Sequence, residues 1–180
     1  FPSPAWTGDG RLVVAYHNRT AATAKIAVRQ GQEWQTHTLE GDPATDVGLY
    51  TSMVIDAQNT LHMVFHDAVQ NSLIYRQLDG DLNPVTRQII DDGVRPDGQH
   101  VVGLDALLYL DGSDLPQVFY QDGTTADLMH AARSQSGDWT KSSFLFGDPG
   151  SGFFAAVTRT QNSTFWLIHY VYDRNAEPMG

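Results

Sequence analysis

Residues 48–67, GLYTSMVIDAQNTLHMVFHD, recur imperfectly along this chain, and any fold proposed for it has to accommodate that recurrence. The stretch has the pattern of one strand, a tight turn and a second strand. Set against it, residues 3–18 align without a gap at an offset of 49: Ser3 meets Ser52, Leu12 meets Leu61, Tyr16 meets Phe65, His17 meets His66 and Asn18 meets Asp67. In a third copy Val102, Gly103 and Leu104 repeat Val47, Gly48 and Leu49, and residues 118–122 (VFYQD) repeat the second strand. The step from Asp67 to Asp122 is 55, so a short insertion is expected in this copy, placed around residues 110–115. A fourth copy opens at Gly152, Phe153 and Phe154 and closes at residues 168–173 (IHYVYD), 51 beyond the third.

Each of the first three copies continues in the same way. A polar turn leads to a third strand (25–29, 73–77, 128–133), then a glycine-containing turn at Gly31, Gly80 or Gly137, often a tryptophan (Trp34, Trp139), and a fourth strand (34–39, 85–90, 139–146). No stretch sustains helical periodicity over three turns, so the chain is expected to be all-β. Four antiparallel strands in meander order per roughly 50 residues is the grammar of a β-propeller blade, with the first strand along the central channel and the fourth at the rim. A β-sandwich is the competing architecture. The copies divide a single segment, 1–180, at about 1–47, 48–102 and 103–151, with a partial copy at 152–180, about three and a half blades. Closure takes about four whole blades or more, and an open array exposes sheet edges. The chain is therefore expected to be part of a larger ring, completed by more of the same chain, a cleaved companion chain or a second copy.

Composition narrows the partners. The formal charge of −10 comes with no Lys/Arg cluster, which argues against nucleic acid and against insertion into an anionic membrane. The absence of cysteine removes disulfides, thiol nucleophiles and cysteine-based metal centres. No apolar run approaches the roughly 18–20 residues that span a bilayer.

The polar motifs are mostly explained by turns. Asn18, Asp67, Asp122 and Asp173 end the second strands, where such side chains cap backbone N–H groups two residues on. The acidic loops at residues 79–81 and 111–114 lack the spacing of a calcium loop. The seven histidines form no HxH or HxxxH pair, so neither a metal nor any other cofactor is expected, and His62 and His169 are expected to be satisfied interior residues. Asn18 and Asn162 each open an N-glycosylation sequon.

Residues 134–139 (SQSGDW) resemble the Asp-box of the sialidase-like propellers, Ser-x-Asp-x-Gly-x-x-Trp, with Ser136 in place of the aspartate and a shorter spacing to Trp139. Residues 30–34 (QGQEW) are a weaker echo. The wider repeat also looks like the degenerate propeller repeats of exported bacterial proteins. The resemblance implies the fold and an extracytoplasmic setting (secreted, periplasmic or cell surface), not an activity. Sialidase-like enzymes resemble one another in an arginine cluster, a Tyr/Glu pair and an acid/base Asp, and glycoside hydrolysis in general uses two carboxylates flanking the bond. The glutamates here, Glu33, Glu40 and Glu177, fall on outer strands, their turns or the tail, and Arg159 is the single arginine expected near the axis. No catalytic residue is assigned. The expected function is a non-catalytic binding or assembly module contacting a protein or glycan partner. Tyr50, Asp105, Phe153, Phe154 and Arg159 are its candidate contacts, the first four because they follow the repeat glycines. The alternative is part of a sialidase-like glycoside hydrolase whose catalytic residues lie largely outside this segment.

Overall fold

The computed structural model describes residues 2–145, 150–159 and 165–172. The first sheet holds β1 (Ser3–Trp6), β2 (Leu12–Asn18), β3 (Thr23–Gln30) and β4 (Glu33–Glu40), and the second holds β5 (Val47–Ile55), β6 (Leu61–Asp67), β7 (Ser72–Leu78) and β8 (Pro84–Asp91). A small hairpin follows, β9 (Val94–Arg95) and β10 (Gly98–Gln99). The third sheet is β11 (Val102–Leu110), β12 (Pro116–Asp122), β13 (Asp127–Arg133) and β14 (Trp139–Leu145), and β15 (Gly150–Arg159) pairs with β16 (Phe165–Tyr172). Every sheet is an antiparallel meander in chain order. These are propeller blades: three of four strands, then a pair.

Alternating side chains glue the blades face to face. Val13, Ala15, Ile26 and Val28 of the first sheet meet Met53, Leu61, Met63, Phe65 and Ile74 of the second in one buried cluster. The opposite face of the second sheet, with Val64, Leu73 and Tyr75, meets Val118, Tyr120 and Ala131 of the third. A one-residue step along a strand moves a side chain to the other face. Strand β6 is therefore buried along its whole length, as an inner strand covered on both sides must be. The fourth strands β4 and β14 are mostly exposed.

The repeat glycines set how closely blades approach. Gly48, Gly103 and Gly152 have φ of 103°, 89° and 89°, and each lies against the start of the third strand of the preceding blade. A Cβ on Gly48 would sit 2.7 Å from the Ala24 Cα, and one on Gly103 would sit 2.9 Å from the Leu73 Cβ. Aligned serines add a second link. Met53 N donates to Ser3 Oγ at 2.9 Å, and Leu108 N donates to Ser52 Oγ at 3.0 Å, so the hydroxyl of one inner strand holds the next.

Turn chemistry repeats as well. Asp67 Oδ1 accepts from the Val69 and Gln70 amides, and Asp122 Oδ1 accepts from the Thr124 amide. Asn18 Oδ1 accepts from Ala21 N. Asp173 lies outside the described residues. The acidic loops are hairpin turns: Asp79 Oδ1 accepts from the Asp81 and Asn83 amides, and Asp111 Oδ1 from the Ser113 and Leu115 amides. The turn at Ser134 is built alike, with Asp138 N donating to Ser134 Oγ. Thus the segment that resembles an Asp-box shares its geometry with the chain's other hairpin turns.

One expectation is corrected. The insertion of the third copy is not around residues 110–115, because the β11–β12 turn matches the β5–β6 turn in length. The extra residues precede Val102: two lengthen the β7–β8 hairpin, and four fall between β8 and Val102, where the β9–β10 hairpin forms.

Two faces are left without a neighbour among the described residues. On the first sheet Trp34 is exposed, with Val14 and Tyr16 half-buried, whereas their repeat equivalents Trp139, Met63 and Phe65 pack against the preceding blade. On the last pair Trp166, Ile168 and Tyr170 are exposed, although Phe119, which aligns with Tyr170, is buried.

Candidate functional site

The residue two beyond each repeat glycine has a left-handed backbone: Tyr50 (φ 52°), Asp105 (φ 46°) and Phe154 (φ 49°). Each sits in a bulged segment of its inner strand, where the pairing register shifts twice. Thr51 Oγ1 donates to Gly48 O at 2.6 Å and ties one bulge to its glycine. Left-handed φ costs a non-glycine residue roughly 1–2 kcal/mol, and for Tyr and Phe no side-chain hydrogen bond to the local backbone offsets it. Such strain, retained in three successive copies, makes this position a candidate site.

The three residues converge on one cavity of about 190 Å³ at the axial end of the inner strands, with Pro2, Ser3 and Thr51 completing part of its wall. Phe154 N donates to Asp105 Oδ2 at 3.3 Å, joining two blades across the mouth. The Tyr50 hydroxyl is pushed above its ordinary pKa, first by burial and then by the Asp105 charge, so it stays a neutral phenol at physiological pH. Its ring stands edge-on to His66 at 6.2 Å. The lining combines aromatic surface, one carboxylate and small polar groups, a surface that stacks on a ligand and accepts hydrogen bonds from it.

Among the five candidates, the cavity brings together Tyr50, Asp105 and Phe154. Phe153 does not line it and is half-buried. Arg159 lies at the hairpin end of β15, paired with Phe165, up to about 16 Å of extended strand from Phe154, and its side chain lies outside the described residues. The wall residues Pro2 and Thr51 were not anticipated; each neighbours the repeat position two beyond the glycine, and that spacing was the available signal. By the same register Phe1 is the equivalent of Tyr50, and it too lies outside the described residues.

Three of the histidines have hydrogen-bond partners within the blades. His62 Nε2 is 3.1 Å from Asp56 Oδ2 and its Nδ1 is 2.7 Å from the Tyr75 hydroxyl, while His66 Nδ1 donates to Val102 O at 2.8 Å. His169 Nδ1 accepts from Gly152 N at 3.2 Å. No group of three metal-ligating side chains occurs among the described residues. Glu33 and Glu40 lie on the outer strand β4, away from the mouth; Glu177 is outside the described residues.

No family model matches the chain, and no curated protein is significantly similar to it. Solved structures do resemble it. A mutant of AofleA from Arthrobotrys oligospora superposes with a TM-score of 0.62 at 19% identity, covering 97% of this chain and 54% of that one. A fucose lectin from Kordia zhangzhouensis, in complex with methyl-fucoside, gives 0.50 at 11% identity over 81% of this chain and 99% of that one. An exo-β-1,3-galactanase from Phanerochaete chrysosporium gives 0.54 at 11% identity over 97% and 46%. The chain thus spans about half the length of the first of these. At such identities the likeness concerns the fold alone, and by fold this chain is a run of β-propeller blades.

Proposed function

We propose that the chain is a non-catalytic binding module, a set of propeller blades that contacts a glycan at the axial mouth formed by Tyr50, Asp105 and Phe154. The observation that carries the reading is the strained, repeat-equivalent trio around one cavity. Aromatic faces beside a hydrogen-bond acceptor suit a sugar ring, which presents C–H groups on one face and hydroxyls at its edge. A lectin and a galactanase among the structural neighbours agree with this chemistry. In this reading further blades, on the same or another chain, cover the open faces around Trp34 and Trp166, and the module works outside the cytoplasm. Kinship to the sialidase-like superfamily is a finer part of the reading and rests on the turn at residues 134–139.

A glycan array read with the intact protein and with Tyr50→Ala and Phe154→Ala tests it. The expected result is binding to a restricted glycan set and at least a tenfold loss in either variant, with thermal stability kept. Unchanged binding in both variants would move the site elsewhere. The second reading, a piece of a glycoside hydrolase, is favoured by the Asp105 carboxylate at the mouth. The cavity wall holds one carboxylate among the described residues, where hydrolysis commonly uses two. Glycan turnover abolished by Asp105→Asn would establish that reading instead.

A further inference from the structure

The charge at the mouth narrows the ligand further. Asp105 is the one carboxylate of its wall, and no lysine or arginine lines the cavity among the described residues. Tyr50 and Phe154 flank the carboxylate, one on the preceding blade and one on the following. Aromatic faces around a carboxylate attract cations, because the ring quadrupole is negative over its face. The surrounding protein carries a formal charge of −10, which adds a long-range field of the same preference. A cavity of about 190 Å³ is smaller than the ~300 Å³ at which drug-sized sites begin, so it seats one head group, or one ring of a longer glycan, at a time.

We propose that the axial mouth recognises a positively charged ammonium group, carried by an amino sugar with a free amine, through the Tyr50 and Phe154 rings and the Asp105 carboxylate. The inference rests on the mouth being the glycan site and names the class of sugar it prefers. A neutral N-acetylated sugar forfeits the ion pair with Asp105 and the cation–π contacts at one stroke. Asp105 itself suits its strained position, since Asp and Asn tolerate left-handed φ better than other side chains. For the same reason Asp105→Asn removes the charge while leaving a backbone that the site can keep, and its amide oxygen can still accept from Phe154 N.

The test compares a glucosamine trimer, its N-acetylated counterpart and tetramethylammonium, by calorimetry and by NMR shifts of the Tyr50 and Phe154 side chains. The expected result is tighter binding of the free-amine trimer by about tenfold or more. That preference is lost in Asp105→Asn and weakened by salt. Equal or tighter binding of the N-acetylated trimer, still lost in Phe154→Ala, would overturn the cation preference and leave the glycan site standing. Shifts with tetramethylammonium but with neither trimer would keep the cation cage and overturn the glycan site. Silence from all three probes in the folded protein would overturn both.

Discussion

The junction between the first and second sheets and the junction between the second and third have the same geometry and different chemistry. At the first, the interior is apolar from Val13 to Phe65, and its ion pairs lie at the rim, where Glu40 sits 2.7 Å from Arg87 and 3.5 Å from Arg76. At the second, an apolar patch is threaded with buried polar groups. Asp91 is fully buried, with Arg95 at 2.6 Å, the Tyr120 hydroxyl at 2.7 Å and Lys141 at 3.0 Å. His100 Nδ1 lies 2.7 Å from Asp122 Oδ2 and its Nε2 lies 3.1 Å from Asp97 Oδ1, pinning the β9–β10 hairpin to the third sheet. The blade repeat dictates where faces meet, but the chemistry that fills the contact is free to vary. Hydrophobic burial is non-directional and tolerates pH, whereas a buried ion cluster needs every partner in place.

That contrast is most directly tested by Phe65→Ala and Asp91→Ala. Truncating Phe65 leaves a cavity in the apolar junction, and removing Asp91 leaves Lys141 without its counter-ion and Arg95 with only Asp122, at 4.0 Å. Each is expected to cost about 3–5 kcal/mol in urea unfolding at neutral pH. They should part on acidification. Asp91 is held well below the usual carboxylate range; burial opposes this, but the Arg95, Tyr120 and Lys141 bonds outweigh it. Its stabilisation is therefore present above about pH 4 and lost as pH falls, so the deficit of Asp91→Ala shrinks in acid while that of Phe65→Ala persists. Equal pH profiles would mean that the two junctions do not differ in kind.

The glycines probe what the junctions share. Gly48→Ala and Gly103→Ala each place a Cβ against the third strand of the preceding blade at positive φ, and each is expected to cost about 1–3 kcal/mol, to a similar extent. A loss at one site only would show that the close approach matters at one junction alone.

Smaller effects follow from three histidines of the second junction, two of one sign and one of the other. Burial pushes His62 and His66 below their ordinary pKa. The unfolded chain then binds more protons than the native state, so their stabilisation, present above about pH 6.5, is lost as pH falls. Thermal unfolding from pH 7.5 to 5.5 should show the loss, and His66→Gln should reduce its slope. His100 is raised instead, chiefly by its bond to Asp122. Its contribution is present below about pH 6.5 and lost as pH rises through the raised value, and His100→Gln should remove that alkaline loss. An identical pH slope in both variants would sink the assignment of these signs.

The blade grammar was legible because a strand that is covered on both faces needs short apolar blocks, and a hairpin needs a capping residue at a fixed position. Ser3 and Ser52 aligned in the sequence and turn out to make equivalent bonds to the next blade. The mouth residues were legible for a similar reason: they keep a constant distance from glycines that a close approach requires. The Asp91 cluster was invisible, since it joins Asp91, Arg95, Tyr120 and Lys141 from four elements that follow no common spacing. The misplaced insertion shows the same limit. An offset of 55 states how many residues are extra, and pairing register states where they go.

The sequence alone therefore determined the repeat, the all-β class and the four-stranded meander, because these depend on local periodicity and turn chemistry. Only the tertiary structure decided which side chains meet. It gathered Tyr50, Asp105 and Phe154 around one cavity and left Phe153 out of it, because face and convergence depend on bulges and on the packing of neighbouring blades, neither of which one strand's pattern encodes.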